Sequence, residues 1–526
     1  MKQIACLLGL LAIAGPAFAQ TADIYAGDAF RYSEQVQSGT ARFQGIGGNH
    51  AALGADASTA WGNPAGLGFY NRSELSISPA LSLQNNRTAF LGQTTTSSKA
   101  TPNVGHLGLV FAGDPRSGSR RWKRTTWAIT YNRLVDFNNN FSYQGRNNRS
   151  SIVDNYINIA NETDALGSQL DDEYNRSTNQ AQTIESAAYR LFLINGQRFV
   201  NDRGEEDFER PYFRFDRGAP IDQRGTFNSS RGLGQWTLAY AGNLDDKFYI
   251  GASLGLTQLR YQYEDVFTET VVGGRAIDSY TQTSTFSARG GGFNFTLGAI
   301  YKVSPDLQIG ANLATPTFSN VRETFNQNLT VRPADPALEQ EILANSRLSI
   351  DVVPNDFNYS LTSPFRASGG ATYFLGGGRI GFITATAEYV GYGGMRVGTD
   401  FYNAQGNQDF RDDVRQAVQN TYNNVINLRA GAEIRAGLLR VRGGIAYLPS
   451  AYKFNLDGLT AQDRQKLVFS GGLGVRNERF FADLAGSFFS FRSAYTPYTL
   501  PNPADFPSAL IDNRRTNLTL TLGTFF

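Results

Sequence analysis

Side chains able to do covalent or metal chemistry are few in this chain of 526 residues: two histidines, His50 and His106, and one cysteine, Cys6. Serine catalysis needs a histidine base held in turn by a third group. Neither histidine has a serine beside it in a lipase-like arrangement, so both read as polar structural residues. Gly45-Ile46-Gly47 and Gly290-Gly291-Gly292 look like phosphate loops, yet no strand–GxGxxG–helix context surrounds them and no Walker lysine follows a GxxxxG. The acidic runs Asp171-Asp172-Glu173 and Glu205-Glu206-Asp207 lack calcium-loop spacing and read as solvated loop charge. The expectation is a non-enzyme, with no catalytic residue, no metal and no cofactor. The spacing that does point to a task is Asn63, Pro64, Ala65 and Gly66. An Asx-type side chain, a locked φ and a glycine free to take positive φ together make one fixed turn.

That turn lies in a stretch, 38–68, rich in Gly and Ala, with few large apolar side chains and no sustained helical or strand period. Such a segment cannot build its own core and must be enclosed by something larger. The composition names the enclosure. Gly 55, Phe 37 and Tyr 25 are high and charged residues are only 18%, below the ~25% of ordinary soluble chains. No internal run approaches the ~18 uncharged apolar residues of a membrane helix. A net charge of +2 offers no polybasic face, which argues against nucleic acid.

Residues 1–19 read as a secretory signal: Lys2 in the n-region, an apolar stretch 4–13, and Ala17-Phe18-Ala19 as an A-x-A cleavage site. Cys6 lies within it, so the mature chain carries no cysteine, and disulfides, thiol catalysis and Cys-ligated metals are excluded together. Residues 21–37 are polar and aromatic without clear period and read as a lead-in to the plug.

Beyond Tyr70 the texture changes to segments in which apolar residues alternate with polar or small ones, the pattern of an outer-membrane barrel. In 425–434, Ile426, Leu428, Ala430, Ala432 and Ile434 would face lipid while Asn427, Arg429, Gly431 and Glu433 face inward. In 439–447, Leu439, Val441, Ile445 and Tyr447 alternate with Arg440 and Arg442. About fourteen strands are expected: 73–83, 104–112, 125–143, 233–242, 248–267, 280–303, 307–331, 347–374, 380–397, 425–434, 439–451, 466–475, 480–491 and 517–526. Connections after the even strands are mostly tight and fit periplasmic turns. Those after the odd strands, 84–103, 144–232, 332–346, 398–424 and 492–516, are long and fit extracellular loops. The last strand puts Leu518, Leu520, Leu522, Thr524 and Phe526 on one face and ends on an aromatic residue, resembling the signature by which barrel assembly machinery recognises its substrates. The only convincing helical signal lies in 181–195, where Ile184, Leu191 and Phe192 help form an apolar stripe. It reads either as a lid packed on other loops or as one wall of a groove that captures apolar ligand.

The runs Ser38-Gly39-Thr40-Ala41, Gly54-Ala55-Asp56-Ala57-Ser58-Thr59-Ala60 and Asn63-Pro64-Ala65-Gly66-Leu67 resemble the N-terminal hatch of the FadL family of outer-membrane transporters for long-chain fatty acids and other hydrophobic compounds. The likeness covers about thirty residues closely and the remainder by strand number, opening signal and terminal Phe. It implies a fold of 1–19 signal peptide, 20–71 hatch inside the lumen and 72–526 transmembrane antiparallel barrel, with a long extracellular insertion at 144–232. It also implies passive uptake: capture by external loops, an apolar pocket against a hatch gated by Asn63 to Gly66, and sideways release past a kinked third strand. Tyr131, Asn132 and Arg133 interrupt the apolar pattern of that strand, which fits a bulge or an ordinary run of inward polar residues. The longest insertion falls between strands three and four, whereas familiar members place their helical capture loops later, so no capture groove carries over.

The expected setting is the Gram-negative outer membrane with both termini periplasmic. Expected partners are an apolar small molecule such as a long-chain fatty acid or aromatic hydrocarbon, membrane lipid and the assembly machinery, around a monomer. The alternative is a FadL-like barrel acting as a surface shuttle in protein secretion.

Overall fold

In the computed structural model, which describes residues 15–526 apart from 36, 114–120, 202 and 456–457, fourteen antiparallel strands close on themselves. We number them β1 (Glu74–Phe90), β2 (Gln93–Ala112), β3 (Trp122–Asp136, resuming as Asn139–Asn147), β4 (Ile221–Leu244), β5 (Phe248–Val271), β6 (Ile277–Lys302) and β7 (Leu307–Ala314 with Phe318–Pro333). They continue as β8 (Asn355–Thr362 with Arg366–Leu375), β9 (Gly381–Val390 with Arg396–Gly398), β10 (Val425–Ala436), β11 (Leu439–Leu448), β12 (Lys466–Arg476), β13 (Phe480–Tyr495) and β14 (Ala509–Phe525). Each pairs with its neighbours in sequence, and β14 returns to β1 through Glu74↔Phe525 to Ala89↔Leu510, which closes the sheet on itself.

Alternation sets the faces. Ile426, Leu428 and Ile434 of β10 are exposed on the outside while Asn427, Arg429 and Glu433 are buried in the lumen, and β11 repeats this with Leu439, Val441, Ile445 and Tyr447 against Arg442. The outer surface carries a continuous belt of such residues, among them Ile129, Trp236, Leu256, Phe293, Leu313, Leu473 and Leu520. Apolar area of that extent is sustained only against lipid. Below it lie tight turns such as 245–247. Among the described residues, no helix is long and apolar enough to cross a membrane.

Phe526 belongs to the same outer row as Leu518, Leu520 and Leu522, and its ring is 64% exposed while its backbone exchanges two 3.0 Å hydrogen bonds with Ser73. Phe526→Ala keeps the backbone bonds and removes only the outward ring. We expect a lower yield of heat-modifiable, assembled protein with normal uptake per assembled molecule. Normal assembly with impaired uptake would contradict this.

The strands correct several expectations. Residues 84–103 are not a loop: β1 and β2 run on in register to a turn at Leu91-Gly92, both at positive φ. The insertion 144–232 is shorter, because β3 reaches Asn147 and β4 begins at Ile221; 492–516 contracts likewise. The helical content is also larger than the one segment expected. The lead-in is a helix, α1 (Gly15–Ser33), followed by the short α2 (Ala41–Gly45). The insertion holds α3 (Ile152–Glu162), α4 (Gly167–Asp172) and α5 (Ile184–Arg190), and later loops hold α6 (Pro336–Asn345) and α7 (Ala404–Thr421). Of the expected signal, residues 1–14 lie outside the described ones, and 15–19 open α1.

These helices stop the lumen from above. Tyr25, Ala26, Ala29 and Phe30 of α1 pack on Phe410, Val414 and Val418 of α7, with Phe30 stacked on Tyr422 at 4.6 Å. Helices α3 to α5 build a cap whose core includes Val153, Tyr156, Leu191 and Ile194 over the tops of β1 and β3 to β7. Glu269 of β5 pins that cap. Fully buried, it accepts bonds from Ser151 Oγ (2.5 Å), Ile152 N (3.0 Å), Tyr280 OH (2.6 Å) and Gln223 Nε2 (2.6 Å), a carboxylate set at the start of α3.

Candidate functional site: an aromatic cavity beside a break in the wall

The longest unpaired stretch of the wall, among the described residues, lies between β2 and β3. Their ladder runs from Ala112↔Thr126 to His106↔Asn132 and stops. Above that rung β2 pairs with β1 alone, and the resumed part of β3 pairs with β4 alone. The cause is local. The β3 register shifts between Arg133 and Val135, leaving Leu134 as an extra residue, and the strand breaks at Phe137-Asn138. Opposite, Pro102 removes a donor from β2. Higher still, side chains span the gap: the hydroxyls of Ser97 and Ser142 meet at 3.3 Å, Asn140 Nδ2 donates to the Ser98 carbonyl at 3.4 Å, and Lys99 Nζ reaches past β3 to Asn228 Oδ1 of β4 at 2.7 Å. Of the three residues singled out in the sequence, Tyr131 and Asn132 stay within the ladder, and Arg133 stands at the shift. The Arg133 guanidinium binds Asp136 (3.0 Å) and the Arg231 carbonyl (2.6 Å), and Ser38 Oγ donates to its carbonyl (2.6 Å).

A lumenal cavity of about 350 Å³ lies beside this break. Phe137, Phe141, Phe227, Tyr261, Phe491 and Tyr495 give it aromatic walls, with Phe141 stacked on Phe227 at 5.1 Å. Three cations reach it, the first being Arg31, which lies over the Tyr261 ring at 5.2 Å. Lys466 lies 2.5 Å from Glu34 and over the Phe491 ring, and Arg515 donates to the Asn138 carbonyl at 3.2 Å. An extension of about 60 Å³ shares Gln37, Ser82, Leu134 and Asp136 with the cavity and reaches Asn103 and Gly105 at the break. Outside and below the break, Leu75, Ile77, Leu107, Leu109, Phe480 and Leu522 line a concavity of about 1040 Å³ that belongs to the lipid-facing surface.

The floor of the lumen is residues 38–70, pressed against inward glycines around the circumference. A Cβ at Gly298 would meet Asn63 Oδ1 at 1.9 Å, at Gly310 the Ala51 carbonyl at 2.0 Å, at Gly431 the Ile46 carbonyl at 2.3 Å and at Gly444 the Gly47 nitrogen at 2.2 Å. The segment is held by its own polar groups. Asp56 accepts from Thr40 Oγ1 and Ser58 N, and Arg42 bridges the Ala55 carbonyl and Glu433, which Arg442 also binds at 2.8 Å. Asn63 is wholly buried. It caps the 3₁₀ helix Pro64–Phe69 through Ala65 N and donates to Ala51 O (2.6 Å), Ala311 O (3.3 Å) and Ala299 O (3.4 Å). Asn63, Pro64, Ala65 and Gly66 therefore touch β5 to β7, and none of them lines the aromatic cavity or its extension.

Ile184, Leu191 and Phe192 form no open groove. Leu191 is fully buried, Ile184 and Phe192 pack on the cap core, and α5 is only seven residues long. Burial also pushes the carboxyl of neighbouring Glu185 up. The histidines have partners that no sequence window could reveal: His50 Nε2 is 3.0 Å from Ser368 Oγ, while His106 lies 2.8 Å from Asn132 Oδ1 and 3.5 Å from Ser76 Oγ. The second set has the order of a serine-hydrolase triad, but Ser76 and His106 are 2% and 0% exposed, with Ala57 of the floor closing over them. It ties β1, β2 and β3 together below the break.

No protein-family model and no curated protein matches the chain. Solved structures do. A Pseudomonas aeruginosa FadL homologue aligns at TM-score 0.51 and 11% identity, over 94% of this chain and 99% of its own. The P. putida toluene transporter TodX aligns at TM-score 0.52 and 12% identity, over 93% and 99%. At such identities the likeness concerns the fold, and it extends over nearly the whole of each chain: this is a closed fourteen-stranded barrel of the FadL fold.

Proposed function

We propose that the protein is a channel of the Gram-negative outer membrane for passive uptake of small hydrophobic molecules, with both chain ends on the periplasmic side. The observation that carries this reading is the continuity between the aromatic cavity and the unpaired stretch of wall. An apolar solute gains by leaving water for such a cavity, and a sideways exit onto the apolar concavity below the break spares it a second passage through water. In this reading the floor is fixed, and the turn at Asn63 to Gly66 anchors it rather than opening and closing. Long-chain fatty acids and monoaromatic hydrocarbons are the substrates to try first, the latter because a toluene transporter shares the fold. The cavity's aromatic lining favours this reading over a secretion shuttle.

The test is Phe227→Asp, which sets an unpaired carboxylate against Phe141. Burying such a charge is costly, and binding and uptake of oleate and toluene should both fall at least tenfold with assembly unchanged. If wild-type protein takes up neither solute above cells lacking it, the uptake reading fails.

A further inference from the structure

We propose that the outer face of β5, β6 and β7 carries a binding site for the phosphorylated head of an outer-leaflet glycolipid, formed by Arg260, Arg289 and Arg322. The three residues occupy one rung: Arg260 is paired directly with Arg289, and Arg289 directly with Arg322. All three point outward and are exposed. Directly opposed residues of antiparallel strands have Cα atoms only ~4.5–5.5 Å apart, and like charges so placed destabilise the pair. Among the described residues, neither Arg260 nor Arg289 has a carboxylate within ion-pair distance, and Arg322 has one, Asp356, at 3.5 Å in an exposed position.

Two other outward arginines each have a matched acid on the neighbouring strand. Arg146 is matched to Asp222 and Arg492 to Asp512, each at 2.7 Å. A row of three with a single distant carboxylate is therefore incomplete, and what completes it must be anionic and multivalent.

Its height identifies the source. Reading up this face, the rungs are Leu256–Phe293–Phe318, then Gln258–Gly291–Asn320, then the arginines, then Gln262–Ser287–Thr324. The first is exposed apolar belt, at 54%, 45% and 46%. The arginines stand four residues above it, ~13 Å along the strand, at the level of lipid headgroups and on the side of the barrel away from the short turns. With acyl chains against Phe293 and Phe318, a phosphate falls within reach of the guanidiniums, whose planar forks suit phosphate oxygens. The inference rests on the outer-membrane orientation proposed above, because only that orientation faces the row toward phosphorylated glycolipid.

The experiment uses full-length protein in detergent with purified lipopolysaccharide, followed by native mass spectrometry and thermal unfolding. Wild type is expected to bind, and a variant carrying Arg260→Gln, Arg289→Gln and Arg322→Gln to bind at least tenfold more weakly. Arg224→Gln, an exposed arginine of β4 outside the row, should bind as wild type. Dephosphorylated glycolipid should fail to bind, and free inorganic phosphate should not compete, which separates a lipid head from an isolated anion. Arg289→Glu gives a second readout. A carboxylate between two guanidiniums should raise the unfolding temperature without lipid while removing the lipid-dependent rise. Equal binding by the triple variant, or by dephosphorylated glycolipid, would overturn the proposal. Failure of the uptake reading would appear separately, as absent solute uptake with lipid binding intact.

Discussion

Deleting Leu134 should lower uptake of an apolar solute at least tenfold while leaving the barrel assembled and the aromatic cavity able to bind. Leu134 is the residue by which β3 exceeds β4 between the pairs Arg133↔Gly234 and Val135↔Leu233. Without it the two strands count evenly, the upper half of β3 loses its reason to swing from β2, and the ladder can extend past His106↔Asn132 toward Gly105 and Asn103. Each added rung contributes one or two backbone hydrogen bonds, of order 1 kcal/mol each, and 1.4 kcal/mol already shifts an open–closed balance tenfold. Radiolabelled oleate or toluene accumulation at matched surface expression checks the outcome, with heat-modifiable migration reporting assembly. Undiminished uptake by an assembled deletion variant would mean that solute leaves elsewhere.

The second large effect concerns the floor. Gly310→Leu with Gly444→Leu places side chains where Ala51 O and Gly47 N now stand, 2.0 and 2.2 Å from the ideal Cβ positions, at two well-separated points of the circumference. The wall cannot yield, since Gly310 is laddered to Ile300 and Gly370, and Gly444 to Gly431 and Ser470. The floor must therefore shift, losing the bonds of Asn63 and Arg42. Proteoliposomes carrying the double variant should swell in a small sugar about ten times faster than those carrying wild type, and the corresponding alanine variants should fall between. Asn63→Ala with Pro64→Ala attacks the same contact from the other side and should move permeability in the same direction by less. Unchanged swelling with both leucines in place would show that the floor does not bar the lumen.

How far the sequence disclosed these features depended on which solvent each face meets. Strands β10 and β11 could be read almost residue by residue, because lipid on one side and a polar lumen on the other impose alternation on every position. The same strands become opaque where they leave the membrane. Residues 93–101, Gln-Thr-Thr-Thr-Ser-Ser-Lys-Ala-Thr, have water on one face and a polar interior on the other, so no alternation marks them and they read as loop. The helices were legible in part. Tyr25, Ala26, Ala29 and Phe30 follow the i, i+1, i+4, i+5 spacing of a helix stripe, and Phe410, Val414, Ala417 and Val418 in α7 the i, i+4, i+7, i+8 spacing, but the abundant charges around the latter disguise it. Leu134 gave no local sign, since a bulge is a mismatch of count between two strands and shows in neither alone. The inward glycines were visible only as high glycine content. What makes Gly310 or Gly444 necessary is a backbone arriving from more than two hundred residues away.

That same seam of distant partners bears on how the molecule is made. The Ser78 and Thr521 hydroxyls that meet across β1 and β14 at 2.8 Å are 443 residues apart in the chain, and Ala41 N bonds Thr521 Oγ1 across 480. Bringing together the ends of so long a flexible chain costs roughly 5 kcal/mol of loop-closure entropy, and topologies dominated by such contacts fold slowly. The closing pair can form only after every intervening strand is present. Until then β1 offers an unpaired edge to any neighbouring chain. Once formed, the seam opens only if whole ladders part together. The finished barrel should therefore be long-lived for kinetic reasons, with unfolding rates far more sensitive to changes at β1 and β14 than at the wall opposite.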